Sequence, residues 1–112
     1  MAVKKYKPTT PGIRGTIVPL YKASLSQGNK PHRALTKGAH RSVGRNNAGR
    51  ITMRHRGSGH KRLYREIDFL QNKFGIPGKI ETVEYDPNRS SYISLICYRD
   101  GCLLYTSPSP RD

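Results

Sequence analysis

The residues able to do chemistry here are four histidines, two cysteines and a dense run of arginines. His55 and His60 could pass a proton near neutrality, where imidazole ordinarily titrates. Such a pair needs a carboxylate to orient it, and no acid precedes Glu66. Cys97 and Cys102, with the histidines, raise the question of zinc. Their spacing fits no standard ligand pair, so a buried structural thiol at Cys97 is expected instead. Two cysteines make no disulfide framework, and the default compartment is reducing. Gly57-Ser58-Gly59-His60-Lys61 invites comparison with phosphate-cradling loops, but the full Walker pattern is missing and no helix follows. What remains is contact chemistry. Arg45, Arg50, Arg54, Arg56 and Arg62 carry planar forks that grip phosphate in two places or stack on bases. Asn46 and Asn47 can pair with base edges, His55 and His60 can donate or stack, and Lys61 adds a point charge. These are the candidate RNA-contacting residues, joined by Arg89 at a turn tip. No catalytic residue, metal or cofactor is expected.

The charge distribution supports that choice. Residues 1–65 carry sixteen lysines and arginines and no acid, a formal +16; residues 66–112 carry −2, which completes the net +14. A stretch that repels itself this strongly calls for a polyanionic partner. Hydrophobic residues are 34% of the chain and Trp is absent, so a sizeable core across the whole length is not expected. No apolar run approaches the roughly 20 residues a membrane helix needs. No apolar segment follows the basic start, so a signal peptide is not indicated. A transit peptide fits the composition, but Pro8, Pro11 and Pro19 would break its helix.

The elements that position the candidates follow from texture. Residues 1–62 lack sustained periodicity and are rich in Pro and Gly, which predicts an extended basic arm ordered on its partner. From Leu63 the text alternates. Tyr64–Phe69, Lys79–Tyr85 and Ser91–Tyr98 read as strands. Asp86-Pro87-Asn88-Arg89 reads as a type I turn. The expectation is a mainly β chain with a three-stranded antiparallel meander over residues 63–101.

Gly44–Phe69 (GRNNAGRITMRHRGSGHKRLYREIDF) and Gly75–Gly101 (GIPGKIETVEYDPNRSSYISLICYRDG) closely resemble the large-subunit ribosomal protein L-two family. The opening Lys4–Gly12 looks like that family's bacterial-type start. The resemblance implies an rRNA-threading basic arm, residues 1–62, followed by a truncated OB-fold, residues 63–101. It implies a structural constituent of the large ribosomal subunit that is not an enzyme. It further implies support of subunit assembly, subunit association and the peptidyl-transferase region. The implied partners are large-subunit ribosomal RNA and neighbouring ribosomal proteins, with no membrane and no small-molecule substrate. The implied place is a cytoplasmic ribosome, with an organellar ribosome as the alternative. Residues 102–112 (CLLYTSPSPRD) are similar to the translation of a transposon-end sequencing adapter, and are expected to be a non-native tail. Two rival functions stand beside this: a non-ribosomal general nucleic-acid-binding protein, and a metal-dependent nuclease built on the histidines.

Overall fold

The computed structural model describes residues 2–57 and 59–107. Its radius of gyration is 18.7 Å, where a compact domain of this length would have about 13 Å. The extra spread follows from a small sheet carrying long irregular excursions.

The chain begins with a ribbon of two short antiparallel strands, β1 (Val3–Lys5) and β2 (Ile17–Pro19), with Lys4 opposite Val18. One helical turn, α1 (Tyr21–Ser24), follows, and a 3₁₀ turn at Arg33–Leu35 leads into β3 (Thr36–Gly38). β3 pairs with β4 (Leu63–Arg65), Thr36 opposite Arg65. The main sheet is antiparallel, in the order β5 (Gly78–Tyr85), β6 (Tyr92–Tyr98), β7 (Leu103–Thr106).

The core is small. Ile93, Leu95 and Tyr105 are buried, with Leu35, Ile67 and Leu103 packed against them. Ile93 and Leu95 share one face of β6, as strand alternation requires. Tyr105 brings its hydroxyl into the interior and satisfies it twice. The His32 backbone N–H donates to Tyr105 Oη (2.6 Å), and that hydroxyl donates to Glu84 Oε2 (2.6 Å). Thr82 Oγ1 donates to the other Glu84 oxygen (3.0 Å). Burial first, and the Glu84 hydrogen bond second, push the Tyr105 phenol up to about 12.

Mainly β architecture with an OB-type RNA-binding domain behind a basic arm is what the sequence predicts, and the sheet is a meander. Its membership differs from the prediction in two places. The expected strand Tyr64–Phe69 ends at Arg65 and pairs with β3, not with β5. Beyond Arg65 the chain leaves β3 and turns to Tyr105, and at Asp68 the carboxylate accepts the Gln71 N–H (3.1 Å), a local turn bond. The third strand is instead β7, within residues 102–112. The turn that starts it is closed by Gly101 N–H to Tyr98 O (2.9 Å) and Cys102 N–H to Asp100 Oδ1 (3.1 Å), with Gly101 at φ 85°. Alternation then sends Tyr105 inward beneath β6. Residues 108–112 of the expected tail lie outside the described residues, as does Ser58 of the Gly57–Lys61 stretch.

Both sides of the sheet meet irregular chain. Along β5, Ser26 N–H donates to Val83 O (3.1 Å), Val83 N–H to Ser26 Oγ (2.9 Å), and Asn29 Nδ2 to Val83 O (2.9 Å). Along β7, Ile67 forms a single parallel bridge with Tyr105 and Asp68 N–H donates to Tyr105 O (2.9 Å). Residues 26–38, which the sequence reading puts in the arm, therefore dock on the sheet.

Candidate nucleic-acid interface

The β3–β4 pair closes a loop, residues 39–62, which holds every candidate contact residue except Arg89. Its foot is tied to the sheet twice. Glu66 N–H donates to Leu35 O (2.9 Å), and Asn88 Nδ2, in the β5–β6 turn, donates to Leu63 O (2.8 Å).

Within the loop the chain folds back on itself between Gly44 and Met53. Arg45 and Ile51 form an antiparallel bridge. Asn46 shapes the reversal: its Oδ1 accepts the N–H groups of Ala48 (3.1 Å) and Arg50 (3.0 Å), the local bonding that Asn favours in turns. Gly44 is buried at φ 69°, and its carbonyl accepts from Thr52 N–H (2.8 Å), Met53 N–H (3.2 Å) and Thr52 Oγ1 (3.1 Å). A Cβ there would lie 2.5 Å from Met53 O, so only glycine fits.

The fold-back leaves the functional groups outside. Arg45, Asn46, Asn47, Arg50, Arg54, His55, Arg56, His60, Lys61 and Arg62 are all exposed. None of them forms an ion pair with a described residue. The ion pairs instead join Lys37 to Glu66, Lys73 to Asp100 (2.5 Å) and Arg89 to Asp86 (2.5 Å). The Glu66 carboxylate, through its hydrogen bond and its charge, raises the Lys37 ammonium above its ordinary range. The Lys73 ammonium holds the Asp100 carboxyl below its own.

Arg89 departs from expectation. It is not displayed at the hairpin tip. Its side chain is 15% exposed and its Nε donates to Asp86 Oδ2, while its guanidinium lies 5.5 Å from the Phe69 ring centre. Asp86 is fully buried, and a buried carboxylate demands a counter-charge; Arg89 supplies it. The same carboxylate accepts the Asn88 N–H (3.0 Å), so Arg89 holds the turn together.

Two clefts flank the loop foot. One, of about 290 Å³, is lined by His40, Arg41, Val43, Gly59, Lys61 and Arg62. The other, of about 450 Å³, lies between His60–Arg62 and the pair Tyr85 and Pro87, and reaches Arg65. Arg41 and Arg65 are lining residues that the sequence reading did not select. In the expected strand Tyr64–Phe69, alternation puts Arg65 on the same face as Ile67, a signal that could have pointed to it. Among the described residues no cluster of three or more His, Cys, Asp or Glu could hold a metal ion. Both thiols are free and half-buried. No described helix is long and apolar enough to cross a membrane.

Residues 32–107 match the family described as Ribosomal Proteins L2, RNA binding N-terminal domain. The large ribosomal subunit protein uL2 of Rhodopseudomonas palustris (strain HaA2) is 54% identical over 105 residues, covering 94% of this chain and 37% of the relative. The uL2 of Nitrosomonas europaea is 54% identical over 101 residues, covering 90% and 36%. That of Ruegeria pomeroyi is 54% identical over 105 residues, covering 94% and 37%. The chain thus spans little more than a third of the length of these relatives.

Proposed function

Because this chain belongs to the ribosomal protein L2 family, we propose that it is a structural constituent of the large ribosomal subunit. It binds the subunit's RNA chiefly through the loop at residues 39–62. One observation carries the reading: a loop tied at its foot to a sheet displays cations that no described carboxylate neutralises. Such charges release counterions from a phosphate backbone. Arg45, Arg50, Arg54, Arg56, Lys61 and Arg62 meet phosphates. Asn47, His55 and His60 meet bases or sugars. Asn46 offers its amide nitrogen, since its oxygen holds the turn. Arg89 acts indirectly, by fixing the turn that Asn88 ties to the loop foot.

The sheet is the anchor that gives the loop a direction. In the whole protein this binding supports subunit assembly, subunit association and the peptidyl-transferase region, beside neighbouring ribosomal proteins in a cytoplasmic or organellar ribosome. The role is positional, with no reaction assigned.

The test is affinity for a large-subunit rRNA fragment across a salt series. If about half of the sixteen N-terminal cations meet phosphates, the log–log slope is roughly −6 to −7. A salt-independent affinity overturns the reading. Equal affinity for duplex DNA replaces it with a general nucleic-acid binder. The origin of residues 102–112 is decided separately, by the contiguous nucleotide sequence across codon 101. An adapter junction there makes them a foreign tail, and an uninterrupted coding sequence removes that idea.

A further inference from the structure

We propose that Arg65 anchors a phosphate seat in the cleft between His60–Arg62 and Tyr85–Pro87, taking the non-bridging oxygens of a phosphodiester. Its biological ligand rests on the RNA-binding reading above.

Arg65 is 8% exposed, yet it forms no ion pair with a described residue. A guanidinium carries five N–H donors. Here Nη1 donates to Leu63 O (2.6 Å), and Nε is buried without a partner. One carboxylate, Glu84, lines the adjoining cleft with Arg65. Both Glu84 oxygens are taken, by Thr82 and Tyr105, and it does not pair with Arg65. A buried charge left without a partner is costly, and an anion that enters relieves it. The 450 Å³ cleft through which one would enter has Lys61, Arg62 and His60 on its rim. Two formal positive charges thus flank the buried one, and the lining includes no carboxylate. The planar fork of Arg suits a two-oxygen grip on phosphate. Tyr85 also lines the cleft.

The test uses the full chain with an rRNA fragment. Arg65→Gln should weaken binding about tenfold and lower the log–log salt slope by roughly 0.9, the loss of one phosphate contact. Arg65→Lys should keep the slope and lose only part of the affinity. Arg65→Gln with the parent slope overturns the seat, whatever its affinity, because damage to packing alone does not change a count of phosphates. Should the variants fail to fold, the unaltered chain decides. Single linkages of the RNA are replaced by neutral methylphosphonates, and one linkage should reproduce the tenfold loss; if none does, the seat is overturned. If parent RNA binding proves salt-independent, the RNA reading falls and inorganic phosphate becomes the probe. A saturable shift of the Tyr85 ring resonances, absent in sodium chloride of equal ionic strength, keeps the seat. No shift overturns it too.

Discussion

In the three-stranded sheet and its turns, three carboxylates have partners: Glu84 holds Tyr105 and Thr82, Asp86 holds Arg89, and Asp100 holds Lys73. In the loop at residues 39–62 there are cations and no acid at all. The sheet and its turns satisfy these three carboxylates internally. The loop keeps its charges free of ion pairs with described residues and draws its shape from uncharged bonds, notably those at Asn46 Oδ1 and the Gly44 carbonyl. The same chain therefore uses polar groups for two ends. Buried Glu84 and Asp86 are paired and hold the fold, whereas the exposed cations of the loop and the buried guanidinium of Arg65 are left open for something outside.

Four measurements break or sharpen that contrast. The largest effect is expected from Arg45, Arg50, Arg54, Arg56, Lys61 and Arg62 replaced together by Gln. Loss of six contacts should lower the salt slope by about 5 and RNA affinity by roughly 10⁴ at moderate salt. Neutralising Lys79 and Arg99 on the sheet should leave the slope close to that of the parent. Equal losses from both sets would erase the distinction between the regions.

Next comes Tyr105→Phe. It strips a hydroxyl from between a backbone N–H and a buried carboxylate. Unfolding in denaturant should show a loss of about 1–3 kcal/mol, with the salt slope unchanged.

Gly44→Ala is the reciprocal case. Its strained φ and the close Met53 carbonyl should cost the loop conformation about 1–3 kcal/mol. RNA binding should fall roughly tenfold, with the unfolding midpoint of the sheet unmoved. A lowered midpoint would mean that loop and sheet form one unit.

The smallest effect is read in alkali. Tyr105 has its phenol raised from 10.0 to about 12 in the fold, so folding favours the protonated form. Its contribution is fully present below pH 10 and is lost as pH rises through 12. Unfolding followed by near-ultraviolet absorbance should show this for the parent and not for Tyr105→Phe.

Much of this was legible in the residues, and the gaps have physical reasons. β5 and β6 emerge within a residue of their expected bounds because β-branched runs flanked by turn residues are local signals. The Asp86–Arg89 turn was visible for the same reason. The β3–β4 pair was not, since three-residue strands carry almost no pattern and their pairing spans the whole loop. β7 was hidden behind the adapter-like text. That similarity concerns where residues 102–112 came from, whereas Tyr105 fills the core by virtue of its alternation and size. The candidate contact residues were chosen from charge and side-chain type, and the loop leaves all of them except Arg89 exposed. Arg89 was misplaced and Arg65 passed over because burial of a cation depends on neighbours distant in sequence, Phe69 for Arg89 and Tyr85 for Arg65.

The irregular chain beside the sheet has one more consequence. A three-stranded sheet offers two open borders, each able to template another chain's strand. Here Ser26 and Asn29 occupy the middle of one border at Val83, and Ile67 and Asp68 occupy the other at Tyr105. Neither segment continues as a strand, so neither presents a fresh border of its own. These short contacts cap both borders at their middle, where a further strand would have to pair, with residues belonging to no strand.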